Sequence, residues 1–239
     1  VIAHRGLALD APENTLLAFG RALSAGATHL ETDIHASADG VAVISHDPDL
    51  SRVASRSVEV GQLTMRELRR IDLGHGQSFC SLADALDGFP EARFNIDVKD
   101  ARAAASAVIA IRESRAIGRV LITSFSKKRR SAVADELPGV ATSPSVPEFA
   151  PALIAAKLGS APLLRHALDG FAAVQVPERR GPVRIVTEST VRRIHAAGAE
   201  VHVWTVNEAS DMTRLLDLGV DGIVTDRCDV LRVLVDARA

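Results

Sequence analysis

The chain has 239 residues, 28 of them Lys or Arg and 30 Asp or Glu, for a formal net charge of −2. That balance leaves no basic footprint for nucleic acid, and a single Trp with no Tyr argues against base-stacking platforms. At 47% hydrophobic residues, the length suits a single domain over residues 1–239 with one substantial core.

No secretory pattern and no run of about 18 apolar residues is seen. This predicts a cytoplasmic location without stable membrane insertion, although the first residue is Val1 rather than Met and is not read as the natural start. The two cysteines, Cys80 and Cys228, read as reduced thiols.

Strand-like and helix-like runs alternate along the chain. Val1–His4 reads as a strand and roughly Glu13–Ala25 as a helix. Thr28–His35 and Val41–Ser45 are strand-like. Asp47–Phe79 then breaks the rhythm, with a charged Met65–Arg70 and glycines at 74 and 76. It reads as a small insertion lying over the mouth formed by the strand ends. Leu82–Leu86 belongs to a helix, Ala92–Lys99 to a strand and Ala101–Arg115 to an Ala-rich helix. Val120–Ser124 is a strand, Ser126–Glu136 a helix, Gly139–Thr142 a short strand and Pro151–Lys157 a helix. Ala172–Val176 is a strand, and Glu188–Ala197 a helix stopped by Gly198. Val201–Val206, Ala209–Leu218, Gly222–Thr225 and Val230–Val235 complete the alternation. About eight such units predict a closed (β/α)₈ barrel. A doubly wound open sheet is the alternative, but no G-x-G-x-x-G follows the first strand.

Catalytic groups of a barrel collect at the C-terminal ends of its strands. His4 and Arg5 end the first strand, and His46 closes the run Val41–Ser45. Glu31 and Asp33 are two apart on one strand and share a face, as do Asp97 and Lys99 on another. Each feature alone has an ordinary reading: a structural His, a solvated acidic pair, a local salt bridge. Several polar intrusions at the ends of apolar strands are hard to explain by folding needs. Three inward carboxylates would repel strongly unless a hard cation, Mg²⁺ or Ca²⁺, joined them. Such a cation would hold phosphate oxygens. Arg5 and Lys99 supply donors for the same phosphate, and His4 and His46 can divide base and acid work across the phosphorus. The set points to phosphodiester cleavage.

The same segments resemble the glycerophosphodiester phosphodiesterase family over most of the chain. His4-Arg5-Gly6 with Pro12–Thr15 is similar to its opening motif, and Glu31-Thr32-Asp33, Asp39-Gly40 and His46-Asp47 to its second block. Phe94–Lys99, Ser124-Phe125, Val203–Asn207 and Gly219–Asp226 resemble the later blocks. The resemblance implies a metal-dependent barrel that cleaves small glycerophosphodiesters to sn-glycerol 3-phosphate and an alcohol. His4 and His46 would be the acid/base pair, Glu31, Asp33 and Asp97 the metal ligands, and Arg5 and Lys99 the phosphate contacts. It leaves open whether a substrate hydroxyl or water attacks first. Asp97 departs from the pattern, since many members carry Glu there. After Thr225-Asp226 many members have Pro, whereas Arg227-Cys228 follows here.

Trp204 ends a strand and is expected to wall the glycerol moiety. Asn14, otherwise a helix-capping residue, is expected to orient His4. His35 and His202 read as peripheral or core histidines. Lys127–Arg130 reads as a solvated helix face, with attraction to an anionic substrate or membrane surface as the alternative. Two further functional readings are weighed. A lysophospholipase D-like hydrolase on the same barrel would need an apolar groove at the mouth, and Asp47–Phe79 holds few large apolar residues to build one. A non-catalytic phosphoester-binding module would have lost a His or a carboxylate, and none is lost.

Overall fold

The computed structural model describes residues 1–238. In chain order the first half is β1 (Ile2–His4), α1 (Leu16–Ser24), β2 (His29–Ala36), β3 (Ala42–Ile44), α2 (Ser51–Ala54), α3 (Met65–Leu68), α4 (Leu82–Gly88), β4 (Arg93–Val98), α5 (Ala104–Glu113), β5 (Val120–Thr123), α6 (Lys127–Ala134) and β6 (Ala141–Thr142). The second half is α7 (Val146–Leu158), α8 (Ala161–Leu168), β7 (Ala173–Pro177), β8 (Arg179–Arg180), β9 (Val183–Arg184), α9 (Glu188–Ala196), β10 (Glu200–Trp204), α10 (Ala209–Asp217), β11 (Gly222–Thr225) and α11 (Cys228–Asp236).

Eight parallel strands run in the order β6-β5-β4-β2-β1-β11-β10-β7. The two outer strands are joined where the Ala172 amide donates to the Thr142 carbonyl at 2.9 Å. The result is a nearly closed (β/α)₈ barrel, as the alternation predicts. Outward-facing side chains such as Leu30, Phe94, Ile96, Val201 and Val203 are almost fully buried. They pack under the helices in two apolar clusters, one around β1, β2, β4 and β5 and the other around β7, β10 and β11.

Three expectations are corrected. Val41–Ser45 is not a barrel strand: β3 pairs antiparallel with β2, Ile44 opposite Ile34. β2 therefore rises past the barrel rim, and β3 brings the chain back down to it. Residues 47–79 do not cover the mouth, and none of them lines the central cavity. Their apolar side chains Leu50, Val60, Leu68 and Phe79 pack on Val43 of the return strand instead.

The helix expected at Pro151–Lys157 starts five residues earlier, at Val146. A reciprocal cap between Ser145 and Glu148 starts it there, and the helix carries Pro151 inside. Among the described residues no helix is long and apolar enough to cross a membrane. Both cysteines are free and buried, and burial pushes the thiols up to about 12 for Cys80 and about 11 for Cys228.

Candidate active site

A cavity of about 650 Å³ opens at the C-terminal end of the barrel. His4, Arg5, Glu31, Asp33, His46, Asp97, Lys99 and Trp204 all line it. Strand pairing explains the convergence. His4 lies beside Glu31 in the β1–β2 register, and Asp33 beside Asp97 in the β2–β4 register. Gly6 lets the chain turn away from β1 at a φ of +83°, close against α1. A Cβ there would lie 2.7 Å from the Ala18 backbone.

Each histidine is held through Nδ1 by a carboxylate. His4 Nδ1 is 2.7 Å from Asp226 Oδ1, and Asn207 donates to the other Asp226 oxygen at 2.7 Å. His46 Nδ1 is 2.7 Å from Asp47 Oδ1, and the second Asp47 oxygen accepts from Arg52 Nε at 2.6 Å. With Nδ1 engaged by a carboxylate, Nε2 is the ring atom left for proton transfer in each histidine. His4 Nε2 lies 4.0 Å from Glu31 Oε2. The hydrogen bond from His4, and after it that from Asn207, holds the Asp226 carboxyl below its ordinary range. For Asp47, burial works upward but is outweighed by the bonds from His46 and Arg52, so its carboxyl also lies low.

The three inward carboxylates are buried, with Asp33 only 2% exposed. Burial, then the charges of Asp33 and Asp97, drive the Glu31 carboxyl well above its ordinary value. Burial also raises Asp97, against the pull of Lys99. Lys99 Nζ bridges the pair, 2.7 Å from Asp97 and 3.1 Å from Asp33. Burial lowers the Lys99 ammonium, but these two carboxylates outweigh it and its affinity for the proton rises.

Among the described residues, no three His, Cys, Asp or Glu side chains are gathered closely enough to hold one ion as they stand. The donor chemistry nevertheless fits a hard cation. Asp97 Oδ1 is buried with no hydrogen-bond partner, and Glu31 is destabilised as an anion by its neighbours.

Arg5 is only partly turned to the cavity: Nη1 donates to Glu13 at 3.0 Å, and Nε lies 3.5 Å from Asp33. Glu13 also accepts two bonds from Arg52, which joins the His46 arm to the Arg5 loop. Asn14 does not orient His4 as expected. Its amide donates to Asp33 at 3.2 Å and accepts from Thr32 at 2.9 Å, so it fixes a carboxylate. His35 is buried, with Nε2 3.1 Å from the His46 carbonyl oxygen, and steadies that backbone. His202 bonds to Glu200 and lies off the cavity lining. Trp204 packs edge-on against Phe125 at 5.7 Å.

Asp226, Asp47, Arg52, Glu13 and Phe125 were not singled out as site residues from the sequence. Asp47 is signalled by its adjacency to His46, and Asp226 only by its place just after the last barrel strand. The cavity also has an apolar wall of Phe125, Val146, Phe149, Leu153 and Trp204, which begins beside Lys99, whose Nζ lies 5.7 Å from the Phe125 ring. The wall comes from the β5 and β10 ends and from α7, not from the 47–79 segment.

A family model described as "Glycerophosphoryl diester phosphodiesterase family" matches residues 4–230. The chain is 42% identical over 239 residues to a probable glycerophosphodiester phosphodiesterase 2 of Mycobacterium tuberculosis, covering 99% of this chain and 90% of that protein. It is 28% identical to a glycerophosphodiester phosphodiesterase of Caldanaerobacter subterraneus, covering 98% and 97%. Among solved structures, a putative glycerophosphoryl diester phosphodiesterase from Silicibacter pomeroyi superposes with a TM-score of 0.81 at 25% identity, over 99% of this chain and 93% of that one. An Oleispira antarctica phosphodiesterase in complex with the product sn-glycerol-3-phosphate has the same fold, with a TM-score of 0.80 at 22% identity over 98% and 96%. By its barrel, its paired histidines and this near full-length match, the chain belongs to the glycerophosphoryl diester phosphodiesterase family and is a phosphoric diester hydrolase.

Proposed function

We propose that the protein hydrolyses glycerophosphodiesters to sn-glycerol 3-phosphate and an alcohol, with a divalent cation and with His4 and His46 as the acid/base pair. The observation that carries this reading is the pair of imidazoles, each tied at Nδ1 to a carboxylate, on the rim of one cavity with three buried carboxylates. One imidazole takes a proton from the attacking oxygen and the other gives one to the leaving alcohol. Asp226 and Asp47 orient the two rings through Nδ1, so that the neutral ring takes the proton at Nε2 and the protonated ring gives its Nε2 proton.

Glu31, Asp33 and Asp97 would hold Mg²⁺ or Ca²⁺, which when bound engages phosphate oxygens and offsets their charge. Arg5 and Lys99 add positive charge toward the same anion, and Trp204 flanks the glycerol. A second reading, a lysophospholipase D-like hydrolase on the same site, is favoured by the apolar wall of Phe125, Phe149 and Leu153, which suits an acyl chain better than a choline or ethanolamine head group.

The test is an assay of chelator-stripped protein with added Mg²⁺ or Ca²⁺. The substrates are glycerophosphocholine, glycerophosphoethanolamine, glycerophosphoglycerol and a lysophosphatidylcholine. Activity should vanish on stripping and return with either cation. Full activity in the stripped protein would remove the cation from the reading, and hydrolysis of none of the panel would remove the substrate class.

A further inference from the structure

Helix α7 is apolar on every side. Its 13 residues carry two charges, Glu148 and Lys157. Glu148 caps Ser145 and pairs with Arg130 and Lys127, while Lys157 Nζ donates to the Arg184 carbonyl. Ala152, Ala155 and Ala156 bury one side, and Phe149 and Leu153 face the cavity. The remaining stripe, Pro147, Pro151, Ile154 and Leu158, is open to solvent at helical spacing, with Ile154 60% and Leu158 76% exposed. A helix apolar all round is normally enclosed. This one continues the apolar cavity wall outward, and Val146 and Phe125 add exposed area at the rim.

Cations frame this surface. Lys127 and Lys128 begin α6 just after Phe125, and Arg179, Arg180 and Arg184 lie on the β8–β9 hairpin that Lys157 ties to α7. Lys128, Arg179 and Arg180 take part in none of the ion pairs formed among the described residues. An apolar stripe between unpaired cations matches a layer of acyl chains beneath anionic head groups. A second copy docked on the same face would instead bring those cations together.

We propose that α7 and the Arg179–Arg184 hairpin dock reversibly on an anionic lipid surface, with the mouth of the catalytic cavity toward it. The contact is peripheral, because 13 residues of helix are too few to span a bilayer. Vesicle binding is read without turnover, so this proposal and the hydrolysis reading fail separately.

The test is co-sedimentation with vesicles of phosphatidylcholine and phosphatidylglycerol in equal parts, against phosphatidylcholine alone. The wild type should bind the mixed vesicles and come off as salt rises. The Ile154→Glu/Leu158→Glu variant should partition at least about tenfold more weakly, with hydrolysis of dissolved glycerophosphocholine unchanged. Lys128→Glu/Arg179→Glu should weaken binding to the anionic vesicles by a similar factor. The proposal is overturned if the wild type stays in the supernatant, or if either variant partitions like the wild type. It is also overturned if sedimentation equilibrium shows Ile154→Glu/Leu158→Glu dissolving a dimer.

Discussion

The two histidine–aspartate pairs do the same job by different routes. His4 ends a true barrel strand, and its partner Asp226 directly follows β11, at the far end of the chain. That pair exists only once β11 pairs with β1. His46 follows an antiparallel return strand, and its partner is the next residue, Asp47. This second pair is steadied locally. The Ser45 amide bonds to the Asp33 carbonyl at 3.0 Å, His35 lies 3.1 Å from the His46 carbonyl oxygen, and Arg52 holds Asp47. Both backbones are held, His4 by strand pairing with β2 and β11 and His46 by the Ser45 and His35 bonds, so the pairs differ in where the carboxylate comes from: the far end of the chain for His4, the next residue for His46. Geometry shared by both, a carboxylate at Nδ1 and a free Nε2, is reached from opposite folding origins.

That contrast predicts unequal losses. Asp226→Asn should lower kcat by about 10²-fold with KM near wild type, because Asp226 makes the one side-chain hydrogen bond to the His4 ring among the described residues. Asp47→Asn should cost less, about tenfold, since residue 47 is bonded directly to His46 and stays beside its ring whatever the closure of the barrel. Equal losses in steady-state assays would mean the two pairs are held alike. Arg52→Ala acts on the His46 arm and, through Glu13, on the Arg5 loop. As a half-exposed ion pair it should lower kcat roughly two- to fivefold. A loss as large as that of Asp47→Asn would make Arg52 the main support of that arm.

The smallest effect concerns stability. Burial and then its acidic neighbours hold the Glu31 carboxyl above its unfolded value, so its contribution to stability is present at low pH and lost as pH rises through the folded value. Glu31→Gln should therefore raise the Tm of cation-free protein, by about 2–4 °C near neutrality, with the gain shrinking toward about pH 4.5. A gain that grew on acidification would reverse the sign and contradict the crowded-carboxylate account.

Strand periodicity made much of this legible from the chain. Glu31/Asp33 and Asp97/Lys99 share faces because a strand alternates strictly, and the structure brings all four to one cavity. What stayed hidden was direction. A short apolar run such as Val41–Ser45 reads the same whether it continues the barrel or turns back along β2, because pairing sense is set by the partner strand. Asn14 meets Asp33 rather than His4 for a similar reason: its loop position is readable in the chain, but its hydrogen-bond partner depends on how the loop packs. Asp226 lay in a recognised segment, yet its contact with His4 spans the whole chain. The apolar wall is not in residues 47–79, the evident insertion, but in α7 and the β5 and β10 ends, and the N-terminal turn of α7 lies before the predicted helix start.

The central claim is that both histidines carry proton transfer at one phosphorus. Its most direct test is the rate of sn-glycerol 3-phosphate release from saturating glycerophosphocholine by the wild type, His4→Ala and His46→Ala, with folding checked by circular dichroism. The account predicts that each variant loses about 10²- to 10⁴-fold in kcat while keeping the wild-type spectrum. Wild-type turnover in either variant would contradict it.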